Sequence, residues 1–279
     1  MTTRCDLKTT EGLNLHCALG GAGRDVVLIH GSLSVLEDML LGPFDLLAET
    51  CRVVAFDRPG HGRSERRRLD GSIWRQAEIL HAGAIQLGLR RPVLVGHSFG
   101  AAVALAYALT YPDAVSGLVL LAPIAMPELR AEHLLFGPRA TPVIGDILAQ
   151  TAGPPLDAAL GPLLVKAMFA PQEIPPRFLE GFPFELVMRP KQMQANGEDA
   201  VQALNGLALA AFSYPRLASP ARVLGGDADW VVNHELHGKA LARLAPDASF
   251  TSLPGLGHML HHFDPEAVAA AVRELSCLP

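Results

Sequence analysis

No stretch of this chain is long and apolar enough to cross a membrane. Its most apolar segment, Val93 to Met126, is interrupted by Gly96, His97, Ser98, Gly100, Pro112 and Asp113. No run reaches the roughly 18 unbroken apolar residues of a spanning helix. An excess of basic charge is missing as well: 23 Lys and Arg against 28 Asp and Glu leave a net charge of −5, the wrong sign for tracking phosphates, so a nucleic-acid partner is not expected. Cysteine is scarce, and Cys5, Cys17, Cys51 and Cys277 form no CxxC pair. Cys5 and Cys17 could face each other across a hairpin turning near Glu11-Gly12. Reduced thiols in a cytoplasmic protein are nevertheless the reading adopted, because cytosolic glutathione keeps such pairs open. The amino end, MTTRCDLKTTEGLNLHC, has no apolar core and no small-residue cleavage site, so no secretory signal is expected. Charged residues make up only 18% of the chain and hydrophobic ones 49%, which excludes intrinsic disorder. At 279 residues the chain should bury roughly three quarters of its unfolded surface, with no metal or disulfide needed to fold.

What is present has an α/β rhythm. Arg4–Thr9 and Leu13–Ala18 read as a leading hairpin. Val26–Ile29, Arg52–Phe56, Val93–Val95 and Leu118–Leu121 are short continuous apolar runs, as expected of strands covered on both faces. Helical patterns lie between them, at Ile73–Leu87 and Ala101–Leu109. Strand–helix alternation implies a parallel sheet with helices on both faces. From Pro123 to Pro215 the texture changes: this stretch holds 13 of the 22 prolines and 6 of the 11 phenylalanines. Short helices broken by Pro are the natural reading. The α/β rhythm then returns, with strands at Ala221–Leu224 and Ser249–Leu253 and helices at His234–Ala245 and Pro265–Leu275. The expected organisation is a core made of residues 1–122 and 216–279, with a helical cap over 123–215.

The sharpest chemical signal is Gly96-His97-Ser98-Phe99-Gly100, between a predicted strand and a predicted helix. A G-x-S-x-G in that setting is a nucleophile elbow. The serine occupies a strained turn where a Cβ on either flank would collide with backbone. A serine hydroxyl needs a base, and the base needs an orienting acid. The elbow arrangement puts them in the chain order Ser, acid, His. His258, in the turn after the last predicted strand, is the base selected; His261 and His262 are rivals in the following segment. His30, His61 and His97 break the order and read as backbone-bonding histidines of tight loops. Asp229 is the acid selected, with Asp227 as its rival, which reads instead as a turn residue bonding loop N–H groups. The oxyanion donors are assigned to the backbone N–H groups of Phe99 and of Ser32, in His30-Gly31-Ser32-Leu33-Ser34.

His30-Gly31-Ser32, Asp57-Arg58-Pro59-Gly60-His61-Gly62-Arg63-Ser64, the elbow, Gly226-Asp227-Ala228-Asp229 and Gly257-His258 occur in this order. Together they resemble the α/β-hydrolase superfamily across nearly the whole chain outside the cap. The resemblance implies an α/β fold with a mostly parallel eight-stranded sheet, helices on both faces and the helical cap inserted after the sixth strand. It is similar to the lidded members: esterases, C–C bond hydrolases, perhydrolases, epoxide hydrolases and haloalkane dehalogenases. Epoxide hydrolases and dehalogenases use an aspartate where this chain has Ser98, and HGSLS is shorter than the glycine-rich HGxGPG loop of C–C hydrolases of ring-cleavage products.

The expected function is therefore a carboxylesterase-like serine hydrolase cleaving an ester-type bond of a small, largely apolar substrate through an acyl-enzyme. C–C hydrolase, perhydrolase or lyase chemistry, or a weakly catalytic ligand-binding scaffold, are the alternatives. No cofactor is expected, since no G-x-G-x-x-G follows a strand. No metal is expected either: His234-Glu235-Leu236-His237 is one residue short of HExxH, and the cluster of His258, His261 and His262 lacks a set of ligands with fixed geometry. The run Arg63 to Arg68 reads as a solvated loop. The partner expected is a small-molecule substrate, and the sequence leaves the oligomeric state open.

Overall fold

A computed structural model describes residues 2–276. It contains one eight-stranded sheet of strand order β1-β2-β4-β3-β5-β6-β7-β8. The strands are β1 (Thr3–Lys8), β2 (Asn14–Gly20), β3 (Arg24–Ile29), β4 (Cys51–Phe56), β5 (Val93–His97), β6 (Gly117–Leu121), β7 (Ala221–Gly226) and β8 (Ala248–Leu253). Only β1 with β2 and β2 with β4 pair antiparallel; every other neighbouring pair is parallel. Helices α1 (Leu36–Met39) and α2 (Asp45–Ala48) follow β3, α3 (Ile73–Gln86) follows β4 and α4 (Phe99–Thr110) follows β5. Between β6 and β7 the elements are helical: α5 (Ala131–Leu135), α6 (Ile144–Gln150), α7 (Gly153–Phe169), α8 (Pro176–Gly181), α9 (Phe184–Val187) and α10 (Pro190–Ser213), with short 3-10 turns. Helices α11 (Gly238–Leu244) and α12 (Pro265–Ser276) complete the chain order.

The side-chain alternation of a strand explains why the sheet is covered twice. Val27, Ile29, Val54, Phe56 and Leu94 point to the face packed by α3 and α4. Val26, Leu28, Val53, Ala55, Val93 and Val95 point to the other face, against α1, α2 and α12. A third apolar cluster lies in the helical segment, where Phe169, Phe178 and Phe182 pack with Val187, Val35 and Met259. The Phe178 and Phe182 rings stack at 4.4 Å. These rings are packing residues, and Phe136 is the one that lines the cavity described below.

Three sequence expectations change. Cys5 and Cys17 are joined by a disulfide, because the antiparallel register of β1 and β2 sets them directly opposite each other, with Cα atoms 5.3 Å apart. Cys51 is a buried free thiol, and Cys277 lies outside the described residues. The helix expected from His234 begins only at Gly238. His237 is held in the preceding turn, where its Nδ1 accepts from the Ala125 and Met126 N–H groups, so His234 and His237 do not share a helix face. Finally, the run Arg63 to Arg68 is not uniformly solvated: Arg66 is buried against carboxylates of α10, while Arg67 stays exposed.

Candidate active site

Ser98 sits between β5 and α4 with φ 53° and ψ −117°, a conformation that side-chain-bearing residues seldom adopt. The flanking glycines are required by close approach. A Cβ on Gly96 would lie 2.6 Å from the Gly100 carbonyl oxygen, and one on Gly100 would lie 2.2 Å from the carbonyl of Ile29. The turn is pinned from outside as well: the Ser98 N–H donates to Leu121 O at 2.9 Å and its carbonyl accepts from Ile124 N at 3.2 Å.

His258 follows β8. Its Nδ1 lies 2.9 Å from Asp229 Oδ2. Asp229 Oδ1 accepts from the Val231 and Val232 N–H groups at 2.7 and 2.9 Å. Burial pushes the Asp229 carboxyl up, but the charge and hydrogen bond of His258, with the two backbone N–H groups, hold it below its ordinary value. Asp227 does something else, accepting from Gly255 N at 2.6 Å within its loop. Of the two aspartates, then, Asp229 reaches the imidazole. His30 and His61 bond loop backbone at Gly31 and Pro59, and His97 donates through Nε2 to the His258 carbonyl at 3.1 Å.

Ser98 and His258 line one cavity of about 420 Å³, together with Ser32 and Leu33 of the loop after β3. Neither the Ser32 nor the Phe99 N–H has a hydrogen-bond partner among the described residues. Phe99 is the first residue of α4, where the N–H groups lack intrahelical acceptors and the helix dipole is positive. The Leu33 N–H, by contrast, is taken by Asn196 Oδ1 at 3.0 Å. Leu129, Leu135, Phe136, Leu164 and Met168 supply an apolar wall from the helical segment, and Trp230 stands at the rim. The charged groups of the wall pair with one another: Arg130 binds Glu128 and Glu132 at 3.1 and 2.7 Å, and Glu128 also meets His237 Nε2 at 3.1 Å.

Sequence reasoning missed the polar face of α10. Gln192 accepts from Gly62 N at 2.9 Å and donates to Ser34 O at 3.0 Å. Asp199 binds Arg58 and Arg66 at 2.7 and 2.6 Å, and the Arg58 guanidinium also covers the Phe99 ring at 4.7 Å. The legible signal was the run Gln192 to Asp199, too polar for a helix that packs on an apolar surface. Asp38 was also missed. It lies beneath the site, accepting from His261 and His262. Its carboxyl is pushed up by burial but held well below the usual carboxylate range by those two imidazoles. Asp38, His97 and His261 bring three atoms suited to metal binding within 4.8 Å of one another.

Comparison with known proteins places these features in context. The alpha/beta hydrolase family profile matches residues 26–271. Over 253 residues the chain is 30% identical to the dihydrolipoyllysine-residue acetyltransferase component of the acetoin cleaving system of Pseudomonas putida, covering 87% of this chain and 60% of that protein. The chain thus spans less than two thirds of that relative, and about a third of other curated relatives. Among solved structures, an epoxide hydrolase, CorEH, superimposes with a TM-score of 0.81 at 18% identity, covering 99% of this chain and 98% of that one. A thermophilic esterase from Thermogutta terrifontis gives a TM-score of 0.71 at 25% identity, covering 98% and 97%. No helix among the described residues is long and apolar enough to cross a membrane.

Proposed function

The chain belongs to the alpha/beta hydrolase family, and from that premise we propose that it is a serine hydrolase that cleaves a carboxylic ester-type bond of a small, largely apolar substrate. Ser98 Oγ attacks the substrate carbonyl carbon while His258 Nε2 takes its proton. Asp229 holds the Nδ1–H tautomer and stabilises the imidazolium. The Ser32 and Phe99 N–H groups bind the oxyanion. Collapse expels the alcohol, which receives the proton from His258, and leaves an acyl-Ser98. Water deprotonated by His258 then releases the acid and restores Ser98. Residues 123–215 act as a cap whose apolar wall binds the substrate body.

The observation that carries this reading is that His258, paired with Asp229, lines the same cavity as Ser98, beside two N–H groups without partners among the described residues. Two relatives named for acetyl transfer and for ester cleavage support acyl chemistry. The self-paired charges of the wall favour a substrate without net charge. The test is labelling with a fluorophosphonate followed by peptide mass mapping, together with pre-steady-state hydrolysis of p-nitrophenyl acetate. One adduct, on Ser98, and a burst of one nitrophenolate per chain are expected. Hydrolysis that persists after complete Ser98 labelling refutes the acyl-enzyme.

A further inference from the structure

Beneath the cavity, four side chains from three segments meet out of solvent. Asp38 is in α1, His97 ends β5, and His261 and His262 lie in the short turn after His258. Asp38, His97 and His261 are at most 1% exposed. Asp38 Oδ1 accepts from His261 Nε2 at 3.1 Å and His262 Nε2 at 2.7 Å. Among the described residues its other oxygen, Oδ2, has no hydrogen-bond partner; it stands 3.9 Å from His97 Nδ1, which has none among them either. His97 Nε2 faces the His258 carbonyl, and a carbonyl only accepts, so Nε2 carries the ring hydrogen of a neutral His97 and Nδ1 presents a lone pair. Two lone pairs thus confront each other in a buried pocket. Orphaned buried acceptors are costly, and the arrangement calls for a positive centre between them.

We propose that Asp38 Oδ2, His97 Nδ1 and His261 Nε2 bind a divalent transition-metal ion of the zinc class, with His261 shifting from the Nε2–H to the Nδ1–H tautomer so that Nε2, which donates to Asp38 Oδ1 without the ion, presents its lone pair. The donor set is imidazole and carboxylate, which suits zinc and its neighbours rather than the all-oxygen shells of calcium or magnesium. A tetrahedral ion with bonds of about 2.0–2.1 Å spaces its ligands roughly 3.3 Å apart; Asp38 Oδ2 and His97 Nδ1 are 3.9 Å apart and all three ligand atoms lie within 4.8 Å, so the ion would draw these side chains inward. Outer contacts are already in place. The His258 carbonyl orients His97, and His262 steadies the free carboxylate oxygen, as partners of metal ligands commonly do. The ion would tie α1, the end of β5 and the segment carrying His258 to one point. Buried on all sides, it would hold structure without touching substrate. HExxH-type spacing could not reveal this site, since Asp38 and His261 are 223 residues apart.

The test uses the full chain without an affinity tag, unfolded in guanidinium with a chelator and refolded with or without Zn²⁺, then desalted. Metal content is read by elemental mass spectrometry and stability by thermal unfolding. One equivalent of Zn²⁺ retained by the wild type, a raised Tm, and at least a tenfold loss of retained metal in Asp38→Asn and His261→Gln are expected. Should those variants fail to fold, Co²⁺ substitution of the wild type serves: ligand-field absorption bands saturating at one equivalent and erased by Zn²⁺ support the site. No retained metal with an unchanged Tm overturns it, leaving a bridging water between Asp38 and His97. Equal retention by folded variants also overturns it, by placing the metal elsewhere.

Discussion

The sheet and the helical segment that joins β6 to β7 differ in what holds them: apolar packing alone covers the sheet, while polar side chains join apolar packing in seating the segment. The sheet is covered by aliphatic side chains on both faces, an adhesion without direction that supplies stability but little register. The helical segment meets the core through the apolar cluster of Phe169 and Phe178 with Val35 and Met259, and also through α10, whose buried Gln192, Asn196 and Asp199 bind the loops after β3 and β4. Its outer side is left apolar, with Leu134 85% and Phe212 86% exposed. Directional, desolvated contacts fix where one body sits on another, and breaking one partner leaves a charge unmatched. The contrast places Ser98 and His258, the reacting groups of the proposed function, on backbone turns of the core, and the shape of the cavity in part on side-chain docking of α10.

If that division holds, the largest effect comes from the core. Ser98→Ala should lower kcat for p-nitrophenyl acetate roughly a million-fold with an unchanged circular dichroism spectrum; substantial residual turnover would move the chemistry elsewhere. Next, Asp229→Asn should cost about ten-thousand-fold in kcat by favouring the wrong imidazole tautomer. Asp227→Asn should cost less than tenfold, and the reverse ranking in the same assay would exchange the two aspartates. The docking side of the comparison predicts another kind of loss. Asp199→Asn strips Arg58 and Arg66 of a buried partner and should cost about 3–5 kcal/mol in urea unfolding. It should raise KM more than it lowers kcat; a pure kcat defect would erase the distinction between the regions.

A smaller effect sharpens the contrast through pH. Burial pushes the Asp57 carboxyl up to about 6 from 3.8, although the Arg63 and Leu36 N–H groups oppose it. The folded protein thus holds that proton more tightly than the unfolded chain does. The resulting stabilisation is fully present below about pH 4 and is lost as pH rises through 6. The difference in unfolding free energy between wild type and Asp57→Asn should therefore change by ~2 kcal/mol between pH 4 and pH 7. A difference independent of pH would show that Asp57 is ionised at no cost. Smallest of all, Phe212→Ser on the outer side of α10 should shift urea unfolding by less than about 0.5 kcal/mol. A larger loss would mean that this exposed ring is covered in solution.

The sequence was most legible where a local steric demand meets a local pattern. The strands of the sheet read as apolar runs of the right length. Gly96 and Gly100 announce the turn at Ser98 because nothing with a Cβ fits there. The pattern starts a helix at His234, but α11 starts at Gly238 because His237 is drawn into the preceding turn by backbone N–H groups at positions 125 and 126, over a hundred residues upstream. The Cys5–Cys17 bridge turned on register: the hairpin was foreseen, but the two thiols meet because the ladder sets those positions face to face.

The amino-acid order alone determined the alternation of strand and helix, the sharp turn that presents a hydroxyl, and the succession of serine, acid and histidine. These depend on backbone sterics and short-range periodicity, which act over a few residues. Only the folded chain decided that Asp229 rather than Asp227 meets His258, that Asn196 takes the Leu33 N–H, and that Asp38 gathers His97, His261 and His262 beneath the cavity. Each of these joins elements far apart in sequence. Hydrogen bonds and ion pairs act over a few ångströms, and which polar groups come that close is settled only when the sheet and helices have packed.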